Sequence, residues 1–248
     1  MKHFSGLIAV TALAVSVLTL ASNADADGGR YFVEGSIAGA VGQHDDLTFV
    51  NPVGTAFTSN AIDGNNIILQ GVDDLYLSAG GDAAFGYQYN PNISIKAVYS
   101  YLGHYEASGD ANFGAGNFRQ DLDTDAHSVM LKLGYAHPVT QSFFVEGTLG
   151  AGVSILTTEA KQGDNLGDDN ALLSNTNVNP AFSVAAGVGY KISNNLSTTL
   201  TGEYVYAGHT ETDTTTGAEN AATGINVSEQ LNADILIGRV LLGLKYHF

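Results

Sequence analysis

The sequence predicts an all-β fold in which eight antiparallel strands form a closed up-and-down barrel. Eight segments alternate between apolar residues and small or polar residues with a period of two, as strands do. Short turns and long connections alternate between these segments, which is typical of a meander with one short-turn end and one long-loop end. The composition agrees, because 30 Gly, 12 Tyr and 11 Phe in 248 residues disfavour much regular helix.

Composition also excludes several classes of function. The chain carries 25 Asp and Glu against 9 Lys and Arg, a net charge of -16, whereas nucleic-acid binding requires clustered basic residues. We therefore expect no nucleic-acid partner. Charged residues make up only 14% of the chain, which argues against an acidic disordered protein. The absence of cysteine excludes disulfides, thiolate catalysis and cysteine-based zinc sites.

The N-terminus has the three-part pattern of a secretory signal peptide. Lys2 and His3 precede a mostly apolar run over residues 7–20, and small residues follow at positions 22–26. The run is short for a membrane-spanning helix, so a signal peptide is preferred to a membrane anchor. We expect a signal peptide over residues 1–26, with cleavage after Ala24 or Ala26, and a barrel domain over residues 27–248.

The eight strands follow in order, each with one apolar face. The first four lie at residues 31–41, 75–89, 93–105 and 128–135, and the last four at 144–155, 182–191, 196–206 and 236–248. Tight turns are expected around Pro91, Pro138 and Asn194. Long loops are expected over residues 42–74, 106–122, 157–177 and 208–230. In the third strand, the alternation predicts Tyr105 on the apolar face and His104 on the opposite face.

The polar face of these strands has the composition of a barrel interior rather than of a solvated surface. It consists mostly of Gly, Ala, Ser and Thr with one or two charges per strand, whereas a water-facing sheet would carry many charged residues. Small residues suit the crowded interior of a narrow barrel. We therefore expect the apolar face to contact lipid and the polar face to fill the interior.

The charges on the polar face can be paired by strand and by height. A buried charge without a partner costs several kcal/mol, so four acids and four bases on this face should neutralise one another. The expected interior ion pairs are Glu34–Lys245, Lys132–Glu146, Glu203–Arg239 and Asp82–Lys96, of which the last fits less well in height.

Tyrosine occurs where the two borders of a membrane-embedded surface are expected. Amphipathic rings are enriched at both interfaces of transmembrane barrels. The tyrosines expected near the short-turn end are Tyr31, Tyr87, Tyr89, Tyr135, Tyr190 and Tyr246. Those expected toward the long-loop end are Tyr99, Tyr101, Tyr105, Tyr204 and Tyr206.

These features resemble the small outer-membrane β-barrels of Gram-negative bacteria, namely the OmpA transmembrane domain, OmpX and the Opa-type opacity proteins. Residues 85–102 look like their second hairpin, and Leu242, Leu244, Tyr246 and Phe248 look like their C-terminal assembly signal. The resemblance implies insertion by the barrel-insertion machinery, location in the cell outer membrane, extracellular long loops and periplasmic short turns. It covers about residues 30–248, without the peptidoglycan-binding domain of full OmpA.

No catalytic, cofactor or metal site is expected. The sequence has no Gly-x-Ser-x-Gly nucleophile elbow, and His127 and Ser128 would point to opposite faces of a strand. Asp121, Asp123 and Asp125 are spaced like the start of a calcium loop, but the glycine and glutamate required later in that loop are absent. The chain is therefore expected not to be an enzyme and to bind no cofactor.

The expected function is a structural or surface-interaction role, such as adhesion, carried by acidic extracellular loops. The long connections contain only Arg119 and Lys161 as basic residues, so host or environmental ligands at the loops would be basic or cationic. One alternative is a small or gated pore for ions and small solutes. A second alternative is a secreted soluble barrel that binds a ligand in its interior.

Overall fold

A computed structural model describes residues 29–50, 62–63, 66–68, 76–112, 117–163, 169–211 and 230–248. These residues form an antiparallel sheet, and they include no helix that is long and apolar enough to cross a membrane. The strands are β1 Arg30–Val50, β2 Ile62–Asp63, β3 Asn66–Ile68, β4 Tyr76–Gln88, β5 Ile93–Asn112, β6 Asn117–Pro138, β7 Phe143–Gly163, β8 Asp169–Lys191, β9 Leu196–Glu211 and β10 Gln230–His247. The expected signal peptide lies outside the described residues.

Eight of these strands close into the predicted barrel. β1 pairs with β4, each of β4 to β9 pairs with the next long strand, and β10 returns to pair with β1, always antiparallel. The short strands β2 and β3 are an addition that the sequence pattern did not predict, and β3 pairs with the end of β1. The all-β eight-stranded fold class is confirmed.

The three turns at the short-turn end are each stabilised by a polar side chain within the turn. Asn90 Oδ1 accepts hydrogen bonds from the backbone N–H groups of Asn92 and Ile93, at 2.9 and 2.8 Å. Thr140 Oγ1 accepts one from Phe143, and Ser193 Oγ accepts one from Leu196. Such side chains replace a backbone partner in a tight turn, which explains why these short segments reverse the chain.

The apolar face of each strand points outward, as the composition predicted. Leu131, Leu149 and Val184 are 61%, 64% and 53% exposed, whereas the neighbouring Lys132 is 4% exposed in the interior. The six tyrosines expected near the short-turn end all lie on this outer surface. A continuous apolar outer surface bordered by tyrosines is the arrangement expected of a membrane-embedded barrel, and it excludes the soluble barrel with an apolar interior core.

The expected long loops are partly wrong, because the strands continue into them. β1 extends to Val50, β5 to Asn112, β7 to Gly163 and β9 to Glu211, and the next long strands begin correspondingly early. Within these extensions, backbone pairing continues between neighbouring strands. The period-two pattern does not predict these extensions, because a strand outside the membrane can carry polar residues on both faces. The pattern then fades although the hydrogen-bonded ladder continues.

The predicted position of Tyr105 on the apolar outer face is also wrong, because a β-bulge precedes this residue. The register between β5 and β6 shifts between Tyr101 and Gly103, and Gly103 has a φ of 132°. The extra residue inverts the alternation, because a shift by one residue moves later side chains to the other face. Tyr105 is therefore fully buried in the interior, whereas His104 lies on the outer surface.

A second bulge lies on the opposite side of the barrel, at the same place in a repeated sequence. Residues 99–106 read Tyr-Ser-Tyr-Leu-Gly-His-Tyr-Glu, and residues 204–211 read Tyr-Val-Tyr-Ala-Gly-His-Thr-Glu. Gly208 has a φ of 86°, and the register between β9 and β10 shifts there. β5 and β9 are four strands apart in a ring of eight, so the two bulges are opposite each other.

Beyond the bulges, the barrel is built from two four-stranded halves. The described pairing of β4 with β5 ends at Gly81 and Tyr101, and that of β8 with β9 ends at Phe182 and Tyr206. Pairing among β5, β6, β7 and β8 continues beyond this level, as does pairing among β9, β10, β1 and β4. We call these two groups the β5–β8 half and the β9–β4 half.

Replacing Gly208 by Ala should destabilise the barrel by about 1–3 kcal/mol. The new Cβ would lie 2.4 Å from Cβ of Asn179, and a positive φ is strained for a residue with a side chain. The control is Gly202→Ala on the same strand, where the nearest heavy atom would be at 3.9 Å. Urea unfolding in lipid vesicles should show a lower midpoint for Gly208→Ala alone; equal midpoints would contradict the assigned strain.

Candidate functional site

The candidate functional site is the barrel interior, which is filled by layers of side chains. From the short-turn end, the first layer contains Glu34, Lys96, Glu146 and Lys245. A layer of Asp82, Lys132, Glu203 and Arg239 follows. An apolar layer lies beyond it, at the level where the barrel divides into two halves. An eight-stranded barrel is narrow enough for its own side chains to fill it.

The first charged layer joins four strands of the barrel, namely β1, β5, β7 and β10. Lys96 Nζ donates to both carboxylate oxygens of Glu34, at 2.8 and 2.9 Å. Lys245 Nζ lies 3.5 Å from an oxygen of Glu34 and 3.5 Å from an oxygen of Glu146. Thr201 Oγ1 also donates to Glu146, at 3.4 Å. Two acids and two bases therefore neutralise one another at this level.

The second charged layer is more deeply buried. The Arg239 guanidinium donates to both oxygens of Asp82, at 2.9 and 3.2 Å, and also to Glu203. Lys132 donates to Glu203 and lies 4.0 Å from Asp82. The Arg239 side chain has no exposed surface, and that of Glu203 is 1% exposed. Again two acids and two bases balance, as buried charges require.

Two of the four expected ion pairs are present, and two are wrong. Glu34 lies directly opposite Lys245 in the ladder, and Glu203 lies directly opposite Arg239. The expected pairs Lys132–Glu146 and Asp82–Lys96 do not form.

The register explains both errors. Lys132 is opposite Gly150, and Asp82 is opposite Ser100, so each expected partner is four residues away along its strand. The actual partners lie across the interior on non-neighbouring strands, where Lys132 meets Glu203 and Lys96 meets Glu34. Counting heights along neighbouring strands cannot detect such contacts, because strand tilt sets which residues meet across the barrel.

The apolar layer closes the interior above the charges. Its buried residues come from both halves of the barrel: Ala40, Leu102, Tyr105, Ala126, Met130, Leu156, Ala181, Val205, Ala207, Ile235 and Ile237. Tyr105 Oη donates to the carbonyl of Leu102 at 2.7 Å, so its hydroxyl is satisfied within the layer. Beyond the layer, the hydroxyl of Thr158 is hydrogen-bonded to those of Thr124 and Thr210, at 3.3 and 2.6 Å. Alternation within single strands does not predict this layer, although the repeated Gly-His sequence at Gly103 and Gly208 marks its level.

A cavity of about 780 Å³ opens at the short-turn end. Phe32, Phe144 and His247 line it, and the first charged layer forms its floor. Lys245 Nζ lies 5.2 Å from the centre of the Phe32 ring, in a cation–π arrangement. The cavity is thus a vestibule that ends at the ion pairs.

The residues of the expected C-terminal assembly signal line the outer surface beside the β1–β10 junction. Leu242, Leu244 and Tyr246 are exposed there. The Phe248 ring packs edge-on against Tyr246 with centroids 5.4 Å apart, and its backbone N–H donates to the carbonyl of Tyr31. An alternating apolar stripe that ends in an aromatic residue is therefore accessible on one strand face. Its reading by insertion machinery stays a prediction.

Closed antiparallel strands, an apolar outer surface and a filled polar interior define a membrane-spanning β-barrel. A model of the family described as outer membrane protein beta-barrel domain matches residues 7–235. The chain belongs to this family, and it is a protein of the cell outer membrane. The short turns therefore face the periplasm and the strand extensions face outward, and the outer surface contacts membrane lipid. No curated protein matches the chain significantly.

Several solved structures of outer-membrane barrels are similar to this chain. Neisserial surface protein A (NspA) is 15% identical over 90% of this chain and 100% of its own, with a TM-score of 0.42. Ail of Yersinia pestis, in complex with the heparin analogue sucrose octasulfate, is 16% identical over 88% and 99%, with a TM-score of 0.38. The Escherichia coli outer membrane protease OmpT is 10% identical over 92% and 100%, with a TM-score of 0.43.

Replacing Arg239 by Ala should lower the free energy of unfolding by about 3–5 kcal/mol, because Asp82 and Glu203 would lose a buried partner. The control is Lys191→Ala at an exposed site, where a change within about 0.5 kcal/mol is expected. The stability of both variants can be measured by urea unfolding in vesicles and by the heating temperature at which migration on a gel shifts. Equal stability of the two variants would show that the buried carboxylates of Asp82 and Glu203 do not depend on Arg239 for their neutralisation.

A double-mutant cycle can distinguish the observed partner of Lys132 from the expected one. Lys132→Met combined with Glu203→Gln should show a coupling energy of about 0.5–3 kcal/mol, because the two side chains are hydrogen-bonded. Lys132→Met combined with Glu146→Gln should be additive within about 0.5 kcal/mol. Coupling to Glu146 alone would contradict the cross-barrel arrangement.

Proposed function

We propose that this outer-membrane barrel has a surface-interaction role, carried by the rigid part that projects outward from the membrane. The observation that carries the proposal is strand length. A transmembrane strand needs about 9–11 residues, whereas β6 has 22 residues and β8 has 23. Because the short turns mark the periplasmic end, the excess length projects from the outer surface. A hydrogen-bonded projection holds the described strand ends in fixed relative positions, as a scaffold for binding requires.

Charge suggests the chemistry of the partner. The segments expected as loops carry many acidic residues, with Arg119 and Lys161 as their only bases. Clustered negative charge attracts cationic groups and raises their rate of association. The partner that fits is a basic polypeptide or another polycationic surface of a host or of the environment. The proposal includes no catalytic step, and the absence of enzyme activity stays a prediction.

The interior layers do not favour the alternative of a pore. An ion that entered from the periplasmic vestibule would have to pass two layers of paired charges, each with no net charge. It would then have to pass an apolar layer of buried side chains. Hydrophobic constrictions prevent conduction by excluding water. The described interior therefore supports a closed barrel.

The proposed role can be tested with proteoliposomes and a fluorescent oligo-arginine peptide as the probe. The chain should bind the peptide in a salt-dependent manner, because exposed charges are screened within about 10 Å at 0.1 M salt. A variant that neutralises Asp164, Asp168 and Asp169 to the matching amides should bind more weakly. The control variant carries Asn165→Gln and Asn170→Gln, which change the same segment without changing its charge.

Unchanged peptide binding by the neutralised variant would contradict the proposed electrostatic role of this surface. Planar-bilayer recordings on the same protein address the alternative directly. The closed interior predicts no discrete conductance steps, and reproducible single-channel steps would favour the pore.

A further inference from the structure

Beyond the bulges, strand β8 has a neighbouring strand on one side only. Its pairing with β7 continues as far as Asp169, whereas its pairing with β9 ends at Phe182. In the part of the chain that the structure describes, no other strand pairs with β8 on that second side. Side chains join β8 to β9 there instead, as in the hydrogen bond from Asn179 Nδ2 to the carbonyl of His209 at 2.6 Å. The outer part of β8 is therefore an edge of the sheet.

The hydrogen-bond ladder shows which residues of β8 direct their backbone groups toward this edge. Lys191 donates its backbone N–H to Ser142, on the β7 side. Ile192 donates its backbone N–H to Leu196, on the β9 side. Successive residues of an antiparallel strand point their backbone groups to opposite neighbours, and the β7–β8 register is unbroken as far as Leu173. The residues that face away from β7 at this level are Ser174, Thr176, Val178 and Pro180, and we call that side of them the outer edge of β8.

Two of these residues behave as members of an edge rather than of a ladder. Thr176 donates its backbone N–H to Oδ1 of the preceding Asn175, at 2.7 Å, so a side chain takes the place of a neighbouring strand. Pro180 has no N–H to donate, and proline within a sheet occurs at edges where the missing donor faces no partner. All four residues of the outer edge are exposed. Their backbone groups are thus accessible to a further strand.

The outer edge of β8 lies outside the membrane and lacks the charges that usually protect a sheet edge. A transmembrane strand needs about 9–11 residues, and Val178 is farther than this from Lys191 at the short-turn end. Charged residues on edge strands prevent pairing with other chains. Between Ala171 and Ala181, however, β8 contains no charged residue. An accessible, uncharged edge of this kind is a template for β-strand addition.

We propose that the outer edge of β8 binds an extended basic polypeptide, which adds to the sheet as a further strand. The inference rests on the proposed surface role and specifies its partner and binding mode. Ser174, Thr176 and Val178 supply the hydrogen bonds through their N–H and C=O groups, and Pro180 limits the pairing on the membrane side. Strand addition recognises the backbone of the partner, and the side chains beside the edge select its sequence.

The side chains beside the outer edge favour a basic partner. Glu159 on β7 is exposed and lies opposite Ser174 in the ladder. Adjacent strands are about 4.8 Å apart, so an arginine of the added strand can extend across the small Ser174 side chain to the Glu159 carboxylate. Val178 is 65% exposed and offers an apolar contact to a β-branched residue on the same face. The fitting sequence therefore combines basic and β-branched residues on one strand face.

The experiment compares two fluorescent peptides that bind to proteoliposomes containing the full chain. Both peptides consist of alternating pairs of arginine and threonine, which place both residue types on each face. One of them carries N-methyl groups on its central backbone amides, which removes hydrogen-bond donors on both edges without changing the charge. We expect the unmethylated peptide to bind about tenfold more tightly, because several backbone hydrogen bonds depend on its free amides. Protein-free vesicles give the background.

The outcomes distinguish this inference from the surface role on which it rests. Equal and salt-dependent binding of the two peptides would overturn strand addition and leave the electrostatic role standing. Binding that depends on the free amides but not on salt would support strand addition and contradict the electrostatic role. Binding of neither peptide above the background of protein-free vesicles would overturn both.

Two variants at Thr176 test whether the peptide binds to β8. Thr176→Pro removes an N–H from the outer edge without removing a donor from the ladder with β7, whereas the control Thr176→Val keeps the backbone and removes only the hydroxyl. We expect Thr176→Pro to bind the unmethylated peptide about as weakly as the unchanged chain binds the methylated one, and Thr176→Val to keep the difference. A full difference between the peptides in Thr176→Pro would overturn the assignment to β8.

Hydrogen exchange of the unchanged chain provides a second test if Thr176→Pro does not fold. We expect the unmethylated peptide to slow exchange of the backbone amides of Ser174 and Val178. Exchange that stays the same when the peptide is saturating would overturn the proposal. Slow exchange at both amides before any peptide is added would show that another segment or a second copy of the chain already pairs with the edge, and would also overturn it.

Discussion

The enclosed charges impose the strictest constraint on this barrel. An eight-stranded wall leaves no aqueous channel, so each ionised group inside it must be neutralised by another side chain. The eight interior charges meet this requirement in two layers of two acids and two bases. Most of the contacts in these layers join strands that are not neighbours in the sheet. The layers therefore tie together distant parts of the wall, in addition to the ladder that joins adjacent strands.

The two ends of the barrel differ because the interior changes its character along the axis. Toward the periplasm, the wall is a continuous ladder around charged and hydroxyl side chains. Toward the outside, the bulges at Gly103 and Gly208 coincide with the loss of pairing between β4 and β5 and between β8 and β9. An apolar layer holds the halves together there, which a continuous hydrogen-bonded ring would not require. The repeated Gly-His sequence thus marks a change from a cylinder to two packed sheets.

This construction divides the interior into a periplasmic part with two ion-pair layers and an outer part with an apolar layer. The two ion-pair layers separate the vestibule at the short-turn end from the outer half of the interior. In the part of the chain that the structure describes, the strands stay paired as far as Asn112 and Asn117 and as far as Gly163 and Asp169. Beyond the bulges, side-chain hydrogen bonds join β4 to β5 and β8 to β9 where their ladder pairing has ended.

The sequence by itself determined the number of strands, the short turns, the outward apolar face and the charge balance of the interior. These features follow from local rules, namely alternation with a period of two, turn-forming residues and the need to neutralise buried charge. Leu131 and Lys132 could be placed outside and inside because adjacent strand residues point to opposite faces. The expected pairs of Glu34 with Lys245 and of Glu203 with Arg239 were accessible because these residues oppose each other on neighbouring strands.

Only the tertiary structure decided which charges meet across the interior, where the ladder ends and on which side Tyr105 lies. Contacts such as Lys132 with Glu203 depend on strand tilt and register around the whole closed ring. The extra residue Leu102, just before Gly103, inverts the alternation at His104 and Tyr105 of β5, and alternation alone gives no warning of it. The sequence of the strand extensions lacks a sustained period-two apolar pattern, so their pairing depends on neighbouring strands rather than on a pattern within one segment.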